Sequence, residues 1–548
     1  MSNKTGGIDR KKNRQKNSGM EITGQLTEYV LAIVIMILYL AVLFYAKDGY
    51  HQIGNAKFAA YRTVMIYGFA VLLVLAALYM VFWLCEHGKS MLSVTDKFVL
   101  AYLVLTGISV ISGGFYDDVL WGCSGWNMGL MSQVSFVLLY FFLSRFGRYY
   151  RLLLTVLCGA AAIVYGIGIL HRLMIDPVGF YEGLTGAQKA QFLSTLGQAT
   201  WYGSFLAVTL PLMMGVFLLT EKRLWRSLSG ICMTLGFSTL VTQNSDSAYF
   251  GLAAAVLVLF VTAAEDRERM CRFTGMLTLL FGAGKVMAFL VRRHPNPEME
   301  ADFVTRLMWD SPVTWVLLVL CLCVTLFLVF TREECQRVPG KGTARKAGKK
   351  CVEKGMRRLA RIVPVAAVIL TGSMILVIYL QSCGLLPEAV AERLADISYF
   401  NWNDGWGNGR GRIWRFSVKM FSEENIKHKL FGIGPDCFSS YVSACYSEEA
   451  ALLWGRKKLT NAHNEWLNIL INGGVLGVTA YLGIFLTAFY RMFRRHRQEL
   501  LLAAVCGACV SYMCYNFFCY QQVLCTPFIF MLMGMGEYML REQDASLG

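Results

Sequence analysis

Apolar runs of about twenty residues, broken by short polar stretches, recur along the chain from Tyr29 to Leu540. A helix needs about 20 apolar residues to cross ~30 Å of hydrocarbon, where only helices and closed barrels satisfy their own backbone. Fourteen segments are candidates, the shorter ones as tilted or partly re-entrant spans: 26–46, 63–85, 98–113, 130–146, 152–170, 201–220, 228–243, 248–264, 273–291, 313–331, 362–381, 462–489, 500–519 and 526–540. The pattern predicts an all-α, polytopic integral membrane protein with about 14 transmembrane helices and one long extracytoplasmic loop holding short helices. Five parts follow: a basic N-terminus (1–25), a membrane domain (26–381, about 11 helices, with a flexible basic loop at 332–361), the long loop (382–461), a second membrane part (462–541, about 3 helices) and a tail (542–548). The first run is as long as a full span and lacks a small-residue cleavage site, so it reads as a retained anchor.

Composition agrees with the pattern. Of 548 residues, 56% are hydrophobic and 16% charged, which excludes a water-soluble enzyme, a secreted disulfide scaffold and a disordered tail. The formal charge of +16 would suggest nucleic acid in a soluble protein, but its distribution answers a different question. With the N-terminus inside, the inner segments carry 33 Lys and Arg, and the outer segments other than the long loop carry 8. Both termini are therefore expected in the cytoplasm. The basic run Lys341 to Arg361 then reads as contacting anionic membrane lipid, with no nucleic-acid partner. Of 17 cysteines, Cys123, Cys383, Cys437 and Cys445 fall outside the spans and inner loops, with no metal-ligand spacing. A Cys437 to Cys445 bridge is one arrangement the sequence allows.

The long loop is the place for chemistry, since some 80 residues far exceed what joins two neighbouring helices. In Arg410-Gly-Arg-Ile-Trp-Arg-Phe-Ser-Val-Lys-Met-Phe421, helical spacing puts Ile413, Trp414, Ser417, Val418 and Phe421 on one face, with Arg412, Arg415 and Lys419 away from it. This fits a helix at the headgroup level, with or without a catalytic part. Asn401-Trp-Asn-Asp-Gly-Trp-Gly-Asn-Gly409 combines aromatics with amides, which suits sugars and equally suits an ordinary loop. Leu430-Phe-Gly-Ile-Gly-Pro-Asp-Cys-Phe438 is a tight turn. His463 is expected within the first turn of the twelfth span, with Asn461 as N-cap. The positive helix end favours a bound anion and a neutral imidazole, and Asn464 and Glu465 flank it. Lys285, within the ninth span, is either functional or a snorkelling amine.

At these residues the chain resembles the bacterial O-antigen ligase/O-antigen polymerase family. The resemblance is carried by Gly409-Arg410-Gly411-Arg412-Ile413-Trp414, by the Leu430–Phe438 turn, and by Ala462-His463-Asn464-Glu465-Trp466-Leu467 running into Asn472-Gly-Gly-Val-Leu-Gly477. It implies a glycosyltransferase of the bacterial plasma membrane, acting in cell-envelope polysaccharide biosynthesis. Such an enzyme uses a polyprenyl-diphosphate-linked glycan donor on the outer face, without nucleotide, metal or other cofactor; the acceptor is a glycan, lipid or protein. It places the family's histidine on His463 and the loop arginine on Arg410, with Arg412 as the alternative register. Two departures stand out. Gln198-Ala199-Thr200 replaces an asparagine pair, and Asp246 in Asn244-Ser-Asp-Ser-Ala248 stands where a donor-binding cation is expected. A second diphosphate contact is then sought from Arg292, Arg293, Lys285 or Arg412, with Asn461 and Asn464 as further diphosphate-binding residues. A lipid-linked oligosaccharide flippase and an inactive envelope-assembly scaffold are the alternatives that share these features.

Overall fold

The computed structural model describes residues 19–85, 92–243, 245–299, 301–337 and 342–547. Most of the expected N-terminal segment (1–18), Lys89, Asn244 of the Asn244-Ser-Asp step and residues 338–341 of the expected basic loop lie outside them. The chain opens with α1 (Gly19–Phe44), α2 (Ile53–Cys85), α3 (Val94–Gly113), the single turn α4 (Tyr116–Val119), α5 (Leu130–Phe146) and α6 (Tyr150–Arg172). Then come α7 (Gly186–Gln191), a small antiparallel pair β1 (Phe192–Leu193) and β2 (Gly197–Gln198), α8 (Ala199–Leu219), α9 (Arg223–Leu240), α10 (Asp246–Ala263) and α11 (Arg267–Arg293). After α12 (Phe303–Asp310), α13 (Pro312–Arg337) and α14 (Gly342–Ser382), the long segment holds five short helices. These are α15 (Glu388–Ala395), α16 (Trp406–Glu423), α17 (Ile426–Phe431), α18 (Phe438–Cys445) and α19 (Ser447–Trp454); the chain ends with α20 (Glu465–Arg495), α21 (Leu501–Tyr515) and α22 (Thr526–Leu547).

The protein is an all-α, polytopic membrane-spanning bundle. Among the described residues ten helices are long and apolar enough to cross a bilayer, and Leu130–Phe146 and Leu501–Tyr515 are shorter apolar helices. The remaining two expected spans coincide with α9 and α22, which lie outside both groups. The helix α8 is apolar on every side and buried almost throughout, whereas the span portions of α13 and α14 are mostly exposed, as lipid-facing helices are. The described residues of the basic stretch expected as a loop are helical: α13 continues to Arg337 and α14 begins at Gly342. Their Ala, Lys, Arg and Met content favours helix, so both spans extend into the stretch.

Polar groups fasten both ends of the bundle. At one end Asp96 accepts from Tyr140 (2.9 Å) and forms ion pairs with Arg145 (3.0 Å) and Arg541 (2.6 Å), tying α3, α5 and α22. Arg491 pairs with Glu537, and Arg497 with Glu265 at 2.7 Å. At the other end the buried Lys57 donates to the carbonyls of Val42 (2.8 Å), Leu43 and Tyr45, which leave the end of α1 without helical partners. The long segment packs against this second end and has its own core, in which Phe416, Met420, Phe438, Val442 and Ala462 are buried.

The Gly-x-Gly turn and the Gly-Gly step of α20 interlock through backbone alone. At Gly474 (φ 69, ψ −177) the α20 helix breaks, and the carbonyls of Ile471 and Asn472 accept from Ile433 N (3.3 Å) and Gly434 N (2.9 Å). A Cβ on Gly432 would lie 2.2 Å from Asn472 O, and one on Gly474 would lie 2.3 Å from Leu430 O. Gly474→Ala is therefore expected to cost about 2–4 kcal/mol and to lower the thermal midpoint in detergent by several degrees. Gly473→Ala, whose added Cβ meets only Ile469 Cγ2 at 3.9 Å, should change it little.

Candidate functional site

His463 precedes α20 by two residues rather than lying in its first turn. The N-cap is Asn464, whose side chain accepts from Leu467 N at 3.1 Å, and not Asn461. Asn461 instead accepts from the backbone N–H of His463 at 2.8 Å and holds that residue at a left-handed φ of 47°. The imidazole meets the Tyr520 ring edge-on at 5.4 Å and the Trp126 ring at 6.4 Å, and those two rings meet each other at 4.4 Å. Burial, with the nearby Arg410 charge second, pushes the His463 pKa down to about 4. The ring is neutral at pH 7, as expected from the sequence, but desolvation is the main cause rather than the helix field.

Arg410 is set in place by three successive left-handed residues, Gly407 (φ 58), Asn408 (φ 62) and Gly409 (φ 86), where two glycines remove the Cβ penalty. Its Nε donates to Phe518 O (3.1 Å) and its Nη1 to Gly407 O (2.8 Å). Among the described residues it has no carboxylate partner. It lies within electrostatic reach of His463 on one side and of Asp302 and Tyr399 on the other.

The other expected diphosphate contacts are engaged elsewhere. Arg412 pairs with Asp404 (3.3 Å) and donates to Leu453 O (2.9 Å), and Arg415 also pairs with Asp404. Arg292 pairs with Asp310, and Arg293 lies over the Phe289 ring. Lys285 is buried, donates to Trp309 O (3.0 Å) and Ser311 O (3.3 Å), and so stabilises the carbonyl end of α12 rather than snorkelling. Asp246 acts as a latch: its carboxylate accepts from Val304 N and the Tyr399 hydroxyl, and its own N–H donates to Asp302. Gln198 is the residue before α8 and makes no side-chain capping bond.

Two further expectations change. Phe416, Ser417 and Met420 form the buried face of α16, while Val418 is exposed, because the helix packs on the loop's own core instead of presenting the Ile413–Phe421 stripe. Cys437 and Cys445 are free thiols: they lie eight positions apart along α18, about 12 Å of helix rise, beyond disulfide reach.

Two cavities lie near His463, which lines neither. The first, about 40 Å³, has a mixed polar and apolar wall and lies among α3, α20, the 126–128 and 435–436 segments and Tyr520–Gln521, with Asn461 and Asn472 in its wall. The second, about 550 Å³, is an open and almost wholly apolar groove lined by Trp402, Trp414, Val418, Leu467, Leu470 and Val478, with Asn464 at its edge. Beneath the small cavity runs a ladder in which Tyr102 donates to Gln133 (2.8 Å), Gln133 to Gln521 (2.8 Å), and Gln521 to the Tyr481 hydroxyl (3.2 Å). Tyr481 and Tyr512 both donate to the buried Glu465 carboxylate. Among the described residues no group of three or more His, Cys, Asp or Glu side chains is placed to hold a metal ion.

Asp436, in the small cavity's wall, accepts from Cys123 N (2.8 Å) and Met128 N (3.0 Å), and burial pushes its carboxyl up to about 7. The folded pKa exceeds the unfolded one, so ionisation opposes folding: stability is full below pH ~4 and falls as pH rises towards 7. Asp436→Asn, which keeps an acceptor for both N–H groups and tolerates its φ of 59°, should stabilise the protein by about 2 kcal/mol at pH 8 and little at pH 4.5. Thermal midpoints at the two pH values check this.

Sequence reasoning passed over Trp126, Tyr520, Asp436 and Asn472 as site residues. The signals were Asp436 and Asn472 inside quoted motifs and the polar Gln521-Gln522 pair interrupting an apolar run. Residues 231–482, just under half of the chain, match the family model described as O-antigen ligase, a span that contains both Arg410 and His463. No curated protein matches the chain.

Proposed function

We propose that this chain, with an O-antigen-ligase-type domain as the premise, is a membrane glycosyltransferase that moves a glycan from a polyprenyl-diphosphate-linked donor to an acceptor hydroxyl. The observation that carries this reading is the Arg410–His463 pair: a guanidinium that has no carboxylate partner among the described residues, close to a neutral, half-buried imidazole, with an open apolar groove nearby. The groove suits the polyprenyl chain and Arg410 the diphosphate, whose charge grows as it leaves. In the step itself the acceptor oxygen bonds to the anomeric carbon. The bond from that carbon to the diphosphate breaks, and its electron pair stays on the polyprenyl diphosphate. The acceptor proton passes to His463 or, with His463 orienting the diphosphate, to solvent. The activated donor supplies the driving free energy.

The site faces the extracytoplasmic side in this reading, with both termini cytoplasmic. The charge bias along the chain supports it, and the short basic segments around Arg145, Arg497 and Arg541 converge at the end of the bundle opposite His463. The test is reconstitution of the whole protein in proteoliposomes with a polyprenyl-diphosphate-linked oligosaccharide. Release of polyprenyl diphosphate coupled to glycan transfer is expected, and its absence with every acceptor class would overturn the reading. Lipid-linked glycans in cells lacking the gene separate the two forms of the activity: single repeat units accumulate for a polymerase, finished polymer for a ligase.

A further inference from the structure

We infer that the apolar groove seats only the first three to four isoprene units of the donor, with Arg415 at its rim as a second cation for the diphosphate. The enzyme then selects a polyprenyl diphosphate without measuring the length of its chain. This rests on the glycosyl-transfer reading and adds to it which part of the lipid is recognised. The groove, about 550 Å³, is open, with α20 as one wall from Leu467 past Leu470 to Val478 and with Trp402, Trp414 and Val418 as the other. Its mouth adjoins both candidate site residues. Asn464 at the edge follows His463 directly in the chain, and Trp414 packs on the ring of Phe518 at 6.0 Å, whose carbonyl takes the Arg410 Nε. From Leu467 to Val478 the wall runs for about 16 Å of helix rise. An extended chain gains ~1.2 Å per bond, so an isoprene unit, with four chain bonds, takes about 5 Å and three to four units cover that wall. Past Val478 the chain is back in bulk hydrocarbon, where further units meet the same surroundings in the bound and the free donor and add no affinity.

Charge decides the occupant. Arg412 and Arg415 both pair with Asp404, so two guanidiniums share one carboxylate, and one positive charge is left over at the rim where Arg415 lines the groove. Arg415 is half exposed, so its guanidinium can turn to a headgroup. Arg410, with no carboxylate partner among the described residues, brings the cations at this mouth to two. A diphosphate matches both, whereas the single charge of a phospholipid phosphodiester leaves one unmatched. The indoles of Trp402, Trp414 and Trp466 line the same groove and offer broad, rigid faces to a methyl-branched chain.

The test is equilibrium binding to the full-length protein in detergent micelles, with tritiated diphosphates of geraniol, geranylgeraniol and undecaprenol (two, four and eleven isoprene units) and geranylgeranyl monophosphate. The four-unit and eleven-unit diphosphates should bind within about threefold of each other and the two-unit compound at least tenfold more weakly. Leu470→Trp, which fills the middle of the groove, should bring both longer compounds down to the two-unit level, while Leu476→Trp, off the lining, should bind as the wild type does. Val418→Trp, at an exposed position on the other wall, gives the same reading should Leu470→Trp fail to fold. Arg415→Gln should cut the preference for diphosphate over monophosphate at least fivefold. Affinity that keeps rising from four to eleven units, a two-unit compound that binds as well as the longest, or an unchanged preference in Arg415→Gln would overturn the assignment. Full displacement by an equal mole fraction of phosphatidylglycerol would do so too, by making the groove an ordinary lipid site. The expected binding pattern in a protein that never releases polyprenyl diphosphate in proteoliposomes would sink the transferase reading and leave the groove standing. Transfer by the wild type that folded Leu470→Trp protein matches with the four-unit and eleven-unit donors would do the reverse.

Discussion

Arg410→Ala is expected to reduce glycan transfer in proteoliposomes by at least about a hundredfold, while the protein still inserts and folds. The side chain's two hydrogen bonds go to the carbonyls of Phe518 and Gly407, so its removal leaves no buried carboxylate unpaired, and stability should change little. In the proposed transfer what is lost is a fixed cation where the leaving diphosphate gains charge, and loss of one such donor typically costs about 10²–10³ in rate. Arg410→Lys should recover only a small part, because an ammonium lacks the planar fork that grips two phosphate oxygens. A second readout is independent of activity. The Arg410 charge helps to hold the His463 pKa near 4, so in Arg410→Ala that pKa should rise, which histidine NMR in detergent can follow. Full transfer activity in Arg410→Ala would end the diphosphate role.

The second large effect is expected at His463. His463→Ala should lower kcat by about 10²–10⁴ with little change in the KM of either substrate, since the proposed transfer has the imidazole act where bonds change. The variant His463→Gln separates its two possible duties: an amide can orient a diphosphate but cannot take a proton. Recovery to within about tenfold of wild type would assign His463 an orienting role; activity as low as in the alanine variant would assign it proton transfer. In the free protein the ring is neutral down to about pH 5, so the acid limb of the pH profile should not reflect the ordinary histidine value.

The helices were legible because the bilayer sets a minimum length for any helix that crosses it: each of the fourteen apolar runs coincides with a helix, and among the described residues ten of these are long and apolar enough to span. The long segment was legible by its length, and the nearness of Arg410 to His463 by the order of short motifs around them. Side-chain surroundings were not. Two asparagines, Asn461 and Asn464, precede α20, and only the fold shows that the second caps the helix while the first turns inward. The stripe on α16 misled because that helix has two apolar neighbours, the loop core at Phe416 and Met420 and the groove at Trp414 and Val418, so no single face is its inside. The small cavity needs α3, the 126–128 segment, α20 and Tyr520 together, residues hundreds of positions apart, and no local pattern encodes that closure.

The polar ladder and the Asp96 cluster also say something about how the protein is made. Gln133 and Asp96 enter the membrane early in synthesis, and they already have partners there: Tyr102 and the Met128 carbonyl for Gln133, Tyr140 and Arg145 for Asp96. Gln521 and Arg541, near the end of the chain, add a further partner to each. The C-terminal helices therefore complete a polar network that the N-terminal helices have begun, and a chain cut after α20 would keep its first contacts and lose the ones that tie its two ends together.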